Sequence, residues 1–173
     1  MVRVLILTAL ILIGRAAQAA PLQGEFASID GGTISMSHWR GQPVLVVNTA
    51  SECAFTGQYR ALQNLQDTYE ERGLVVLAVP SNSFNQELGS AEEVRHFCEM
   101  TFDLTLPMTD ITPVTGADAH PFYQQVAAQT GFVPNWNFNK ILIDADGSVA
   151  ATFGSTVRPD SRRLLAQVEA LLP

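Results

Sequence analysis

Two apolar, β-branched runs separated by one amphipathic segment most constrain how this chain can fold. The runs "PVLVVNTA" at residues 43–50 and "LVVLAVP" at residues 74–80 are typical of strands buried on both faces of a sheet. Between them, Leu62, Leu65 and Tyr69 recur at helical spacing among polar residues. A strand, a helix and a second strand in this order predict a parallel β-α-β unit, most simply a right-handed crossover.

The flanking segments add further elements to this unit. "FASIDGGTISM" alternates about an Asp-Gly-Gly turn at residues 30–32, which predicts an N-terminal β-hairpin. Ser90 and Glu93 form a capping box for a helix through "AEEVRHFCEM", and Pro121 suits the first turn of another helix. "KILIDADGSVAATF" predicts a hairpin about residues 146–147, and "DSRRLLAQVEALL" predicts a final helix.

This order of elements predicts an α/β fold. With 47% hydrophobic and 16% charged residues in 173, the chain has the composition of one globular domain. We predict a three-layer α/β/α sandwich with a mixed central sheet, whose antiparallel end belongs to the last hairpin. The thioredoxin-like fold fits this order, although a fold alone does not define an activity.

The first 19 residues differ in kind from the rest. Arg3 is followed by an apolar run from Val4 to Ile13, interrupted only by Thr8, and then by small residues ending at Ala19. This layout is typical of a secretory signal peptide, and the run is well short of the ~20 apolar residues that span a bilayer. We therefore expect a signal peptide at residues 1–19, a domain at residues 20–173, and export to the periplasm or the medium.

The charge of the exported chain argues against several kinds of partner. Loss of residues 1–19 removes Arg3 and Arg15 and no acids, which leaves 8 basic and 17 acidic residues and a net charge of −9. An acidic surface repels phosphate backbones, so nucleic-acid binding is not expected. Lys140 is the only lysine, so no basic patch for anionic lipids is present and no membrane contact is expected after cleavage.

The two cysteines, Cys53 and Cys98, allow two interpretations. In an exported protein a cysteine pair is by default a structural disulfide. However, Cys53 follows a predicted central strand and precedes a helix, where open α/β sheets usually place their chemistry. Backbone N–H groups at a helix start favour a thiolate, which is the nucleophilic form. The histidines stand at no ligand-like spacing from a cysteine, so we expect no metal site.

Four segments resemble, in order and at compatible spacing, the motifs of the glutathione peroxidase family. They are "NTASECAFTGQY", "VVLAVPSNSFNQE", "EEVRHFCEMTFDLTLP" and "PNWNFNKILID". The resemblance extends from about Phe26 to the last helix, and four ordered motifs are far more specific than a lone match. It implies a thioredoxin-like fold and the reduction of hydrogen peroxide or organic hydroperoxides by a cysteine or selenocysteine, with no cofactor.

The resemblance also implies roles for individual residues. Cys53 matches the reactive residue of an Asn-x-Ala-Ser-x-Cys-Gly-x-Thr motif, in which Ala54 replaces the glycine. Trp136 and Asn137 belong to the family's Trp-Asn-Phe motif, and their side-chain N–H groups are expected to hydrogen-bond the sulfur.

The fourth member of the family's catalytic tetrad is a glutamine after the second strand, and here the chain departs from the pattern. Ser83 stands at that position, within Asn82-Ser83-Phe84. Ser83 can donate one hydrogen bond, and the nearby Gln86 is a candidate substitute. We expect a three-point hydrogen-bond network and a reduced peroxidase rate.

Cys98 matches the resolving cysteine of the non-selenium members that accept electrons from thioredoxin. The implied cycle converts the Cys53 thiolate to a sulfenic acid, condenses it with Cys98, and reduces the disulfide with a thioredoxin-like dithiol or with glutathione. The connection between "LPMTDITPVTG" and "AHPFYQQV" is short and lacks the assembly segment of tetrameric members. A monomer is therefore implied.

Two other hypotheses remain at this point. One is a non-enzymatic exported domain in which Cys53 and Cys98 form a permanent disulfide. The other is a thioredoxin-like disulfide exchanger, which the sequence disfavours because Thr56, not a cysteine, occupies the Cys-x-x-Cys spacing from Cys53. A permanent disulfide resists mild dithiols, whereas a catalytic one is readily reduced and re-formed by peroxide.

Overall fold

The computed structural model describes residues 20–173, and the predicted signal peptide lies outside the described residues. Within that range, strands and helices follow the predicted order. The strands are β1 (Glu25–Ala27), β2 (Thr33–Ser35), β3 (Val44–Thr49), β4 (Val75–Pro80), β5 (Lys140–Ile143) and β6 (Val149–Phe153). The α-helices are α1 (Gln58–Tyr69), α2 (Ala91–Phe102), α3 (Pro121–Thr130) and α4 (Arg162–Leu171), and single 3₁₀ turns lie at Met36–Trp39 and Glu70–Arg72.

A four-stranded mixed sheet with the order β4-β3-β5-β6 forms the centre of the domain. β3 and β4 are parallel, with Val44 opposite Val75, which confirms the predicted β-α-β unit. β5 runs antiparallel to β3 and pairs with β6 as the predicted hairpin. β1 and β2 form a separate antiparallel hairpin, also as predicted. The fold is therefore the expected thioredoxin-like α/β architecture.

Alternate residues of β3 divide the core into two clusters, one on each face of the sheet. Leu45 and Val47 belong to a cluster that contains buried residues of α1, α2 and α4. Val44 and Val46 belong to a second cluster, together with Phe122 of α3 and residues of the N-terminal hairpin. Because successive side chains of a strand point to opposite faces, this continuous apolar run can hold two layers to one sheet.

Local sequence explains both ends of α2, the helix that carries Cys98. At its start the Ser90 hydroxyl accepts a hydrogen bond from Glu93 N (3.2 Å), which confirms the Ser90 half of the predicted capping box. At its end Asp103 adopts a left-handed conformation (φ 54°), and its N–H donates to the carbonyls of Cys98 and Glu99. Cys98 thus lies in the final turns of a well-capped helix.

No helix among residues 20–173 is both long and apolar enough to cross a membrane.

Candidate active site

Cys53 lies in the turn between the end of β3 and the start of α1, at the carboxyl end of a central strand. Its side chain is only 5% exposed and contributes to the cluster shared by α1, α2 and α4. The sulfur accepts a hydrogen bond from Phe55 N (3.5 Å), and the Cys53 carbonyl accepts one from Thr56 N (3.1 Å). Ala54 is exposed and has no positive φ, so replacing the family's glycine there costs no backbone strain.

Asn48, five residues before Cys53, joins β3 to the segment that contains Trp136 and Asn137. Its side chain is buried, donates to the Trp136 carbonyl (3.0 Å) and accepts from Asn139 N (3.1 Å). Its backbone accepts from Phe138 N (2.6 Å) and donates to the Asn139 carbonyl (3.3 Å). These four hydrogen bonds hold the Trp136 segment against the carboxyl end of β3, although 88 residues separate Trp136 from Asn48.

Phe138, the residue after Asn137, has an unusual backbone conformation. It is fully buried, has φ 60° and packs edge-on against Tyr59 at 5.2 Å between ring centroids. A bulky residue in the left-handed region is strained and persists only where its surroundings hold it. In the resulting geometry Asn137 is fully buried, whereas Trp136 is 40% exposed and contacts Phe84 at 5.5 Å between ring centroids.

Gln86 links the Cys53 turn to Asn137. Its backbone carbonyl accepts from Glu52 N (2.9 Å), and its side-chain oxygen accepts from Asn137 Nδ2 (3.0 Å). Among residues 20–173, neither Trp136 nor Asn137 makes the expected hydrogen bond to the Cys53 sulfur, and the Asn137 amide donates to Gln86 instead. Gln86 therefore connects Asn137 to Glu52, the residue before Cys53.

Ser83, at the family's glutamine position, has a different set of partners. Its hydroxyl oxygen accepts from Val114 N (3.0 Å) and from the Ser81 hydroxyl (3.1 Å), while Ser83 N donates back to Ser81 (3.2 Å). Both lone pairs of the oxygen are thus occupied. Ser83 holds the connection that contains Val114 and makes no hydrogen bond to the Cys53 turn.

Cys98 lies in the same core cluster as Cys53, and both thiols are unpaired. It is fully buried, and burial raises the pKa of its thiol to about 12. The Tyr59 hydroxyl lies next to Cys98 and Thr49 but makes no hydrogen bond of normal geometry. Burial raises the pKa of Tyr59 as well. Cys98 is therefore protonated, and hence a weak nucleophile, while α2 keeps this conformation.

Sequence reasoning missed Glu87, whose carboxylate accepts a hydrogen bond from the backbone of the Cys53 turn. One carboxylate oxygen accepts from Ser51 N (2.9 Å) and Leu88 N (3.0 Å), while the other is buried without a partner. Burial raises the pKa of this carboxyl group. The only signal for it was the Gln-Glu pair at residues 86–87.

Across residues 20–173, no three His, Cys, Asp or Glu side chains are placed to hold a metal ion.

A thioredoxin-like domain with a cysteine at this strand-to-helix junction has the arrangement expected of a thiol-dependent oxidoreductase. Residues 23–127, more than half of the chain, match the family model described as glutathione peroxidase. The chain therefore belongs to the glutathione peroxidase family and is a thiol peroxidase. The alternative of a non-enzymatic domain with a structural disulfide is not favoured.

Individual relatives agree with this membership. The chain is 41% identical over 144 residues to a glutathione peroxidase of Lactococcus lactis subsp. cremoris, covering 79% of this chain and 91% of the relative. It is 37% identical to the hydroperoxy fatty acid reductase gpx1 of Synechocystis sp., covering 84% and 91%. The crystal structure of Trgpx in apo form superimposes with a TM-score of 0.66 at 28% identity, covering 88% and 97%.

Proposed function

We propose that this thiol peroxidase uses Cys53 as its peroxidatic residue and Cys98 as its resolving residue. The observation that supports the proposal is the set of hydrogen bonds that tie the Trp136–Asn137 segment to Asn48 of β3 and, through Gln86, to Glu52, next to a cysteine at the carboxyl end of β3. The Cys53 thiolate attacks the terminal peroxide oxygen, the O–O bond breaks, and the leaving oxygen takes a proton to give water or an alcohol. Cys53 becomes a sulfenic acid.

Resolution requires the C-terminal turns of α2 to open. The Cys98 thiol attacks the Cys53 sulfenic acid, a disulfide forms, and the thiol proton leaves with the hydroxyl group as water. A thiol of pKa about 12 inside the core cannot do this where it stands. The contacts that must loosen include the hydrogen bond from Arg60 Nη2 to the Thr101 carbonyl (3.4 Å) and the hydrogen bond from Thr105 N to Gln63 Oε1 (2.9 Å).

The proposed substrates are hydrogen peroxide and organic hydroperoxides. Partly exposed apolar side chains, Phe55, Phe84 and Trp136, lie on the segments that surround Cys53. Such a rim suits an apolar hydroperoxide, and the Synechocystis relative is named for fatty acid hydroperoxides. The proposed reductant is a thioredoxin-like dithiol protein or glutathione. The proposed enzyme is a monomer, as its short connection before α3 implies.

The test is peroxide consumption by the purified protein, driven separately by a thioredoxin-type dithiol and by glutathione. Wild type is expected to consume hydrogen peroxide and cumene hydroperoxide, and Cys53→Ser is expected to consume neither. Absence of consumption by wild type with both reductants would overturn the proposed function. Elution as a tetramer in size-exclusion chromatography would overturn the monomer.

Gln86 is proposed to take the place of the family's glutamine. Gln86→Ala is expected to slow Cys53 oxidation about tenfold, because Asn137 loses the acceptor that orients its amide and the site loses a polar group. Stopped-flow measurement of the second-order rate constant with peroxide checks this. The matched control, Ser83→Ala, removes a side chain engaged with Val114 and should change that rate less than about twofold. Equal effects of the two variants on the rate constant would mean that Gln86 has no special role and that Ser83 contributes to the site as much as Gln86 does.

We further propose that the protein is exported and free of the membrane after removal of residues 1–19. The support is the sequence pattern of a basic residue, a short apolar run and an Ala-Gln-Ala ending. Intact mass spectrometry of protein from the extracytoplasmic fraction is expected to show a chain beginning at Ala20. A full-length chain recovered with the cytoplasmic or membrane fraction would contradict export.

A further inference from the structure

Lys140, the only lysine of the chain, is fully buried at the start of β5. Its ammonium donates to the Gln58 side-chain oxygen (2.5 Å) and to the Val157 carbonyl (2.7 Å). The ion pairs of the described residues, Arg95–Glu99 and Arg158–Asp160, do not include it. A buried cation without a carboxylate is costly, and an apolar residue of similar size often serves stability as well or better.

Hydrogen bonds connect this buried lysine to the Trp136 segment. Gln58, the first residue of α1, donates from Nε2 to the Ser155 carbonyl (2.7 Å). The Ser155 hydroxyl accepts from Asn139 Nδ2 (2.9 Å), and the same amide donates to the Trp136 carbonyl (2.8 Å). The chain of contacts therefore joins β5, the start of α1 and the connection after β6 to the backbone that carries Trp136.

We propose that Lys140 is a positioning residue for the peroxide step. Lys140 orients the Gln58 amide, which donates to the Ser155 carbonyl. The Ser155 hydroxyl in turn holds the Asn139 amide, and this amide fixes the position of the Trp136 carbonyl and of the residues beside it. Gln58 also lies five residues after Cys53, so the same lysine fixes the start of the helix that follows the reactive turn. This inference rests on the proposed role of Cys53 and adds a residue that does not touch the reacting atoms.

The environment of Lys140 makes its charge sensitive to pH. Burial, with a smaller contribution from Arg158, lowers the pKa of Lys140 to about 7. The side chains that face it from the paired strands and from α1 are Val47, Phe153 and Gln58, which carry no charge. The neutral amine still has two hydrogens for its two acceptors, whereas the ammonium makes stronger, charge-assisted hydrogen bonds.

The main test compares two substitutions in the chain of contacts with one outside it. Lys140→Met removes the cation. Gln58→Glu keeps an acceptor for Lys140 but cannot donate to Ser155. Each is expected to lower the second-order rate constant for Cys53 oxidation about tenfold, because a small displacement of catalytic groups has a large effect on rate.

Gln66→Met is the matched control within α1. Like Gln58, Gln66 makes two side-chain hydrogen bonds, here from Val76 N (2.7 Å) and to the Leu74 carbonyl (3.4 Å), but it lies outside this chain of contacts. It is expected to lower stability with less than about a twofold change in rate. Wild-type oxidation rates in both Lys140→Met and Gln58→Glu would overturn the positioning role. A wild-type protein that does not react with peroxide would instead refute the proposed function.

Fluorescence gives a readout that does not depend on activity. With Trp39→Phe, Trp136 becomes the single tryptophan, and its emission is expected to change with a midpoint near pH 7. Lys140→Met should abolish that transition. Between pH 7 and 8.5 the unfolded chain keeps the lysine proton that the folded chain releases. The free energy of unfolding of wild type should therefore rise with pH over this range, and the rise should be absent in Lys140→Met. An emission transition unchanged by Lys140→Met would also overturn the proposal.

Discussion

Cys53→Ser is expected to lower the rate of peroxide reduction by about a thousandfold or more, because it removes the proposed nucleophile. A serine hydroxyl is ionised far less readily than a thiol and forms no sulfenic acid. The substitution is nearly isosteric, and Cys53 makes no disulfide in the structure, so folding should be little affected. Peroxide consumption under steady-state conditions and circular dichroism of the same sample measure the two effects separately.

Cys98→Ser is the informative companion of this variant. It should still consume one equivalent of peroxide, since Cys53 and its neighbours are intact, and the sulfenic acid should then persist. Trapping with dimedone followed by mass spectrometry detects that species. Turnover with a dithiol reductant should fall to background. Dithiol turnover at the wild-type rate would exclude Cys98 as the resolving residue, and undiminished peroxide reduction by Cys53→Ser would exclude Cys53 as the peroxidatic residue.

Asn48→Ala is expected to have the second largest effect, on both stability and rate. The side chain is 1% exposed, and its loss leaves the buried Asn139 N–H without an acceptor and the Trp136 carbonyl with one donor fewer. An unsatisfied buried group and the small cavity together should reduce the free energy of unfolding by about 2–4 kcal/mol. Displacement of Trp136 and Asn137 should slow Cys53 oxidation about a hundredfold.

Asn48→Asp separates the two hydrogen bonds of this side chain. It keeps an acceptor for Asn139 N but faces the Trp136 carbonyl with an oxygen in place of the donating amide. Urea denaturation should therefore show a lower free energy of unfolding than that of wild type. Stopped-flow kinetics should show slow Cys53 oxidation even in molecules that remain folded, because the Trp136 segment is displaced. If Asn48→Ala folds and oxidises at the wild-type rate, Asn48 does not position the site.

Local patterns were sufficient for the elements themselves. The alternation around residues 30–32, the capping box at Ser90 and the proline at the start of α3 each describe interactions between residues close in sequence. Such interactions involve residues only a few positions apart, so their patterns can be recognised without the tertiary structure. The position of Cys53 between β3 and α1 follows from the same local signals.

The choice between Ser83 and Gln86 could not be made in this way. Both side chains can hydrogen-bond, and only the folded chain brings Ser83 to Val114, 31 residues away, and Gln86 to Asn137, 51 residues away. Glu87 and Lys140 were missed for a related reason. A charged residue is ordinarily exposed, and no periodic pattern announces that it will be buried against backbone groups from distant segments.

The order of strands and helices, the place of Cys53 and the family resemblance are therefore properties of the sequence, because each depends on short-range pattern or on matched motifs. The partners of each polar side chain in the site, and the protonation of Cys98, are properties of the tertiary structure. Hydrogen-bond partners depend on distances between segments far apart in the chain, and the raised pKa of Cys98 depends on how completely the packed layers exclude water.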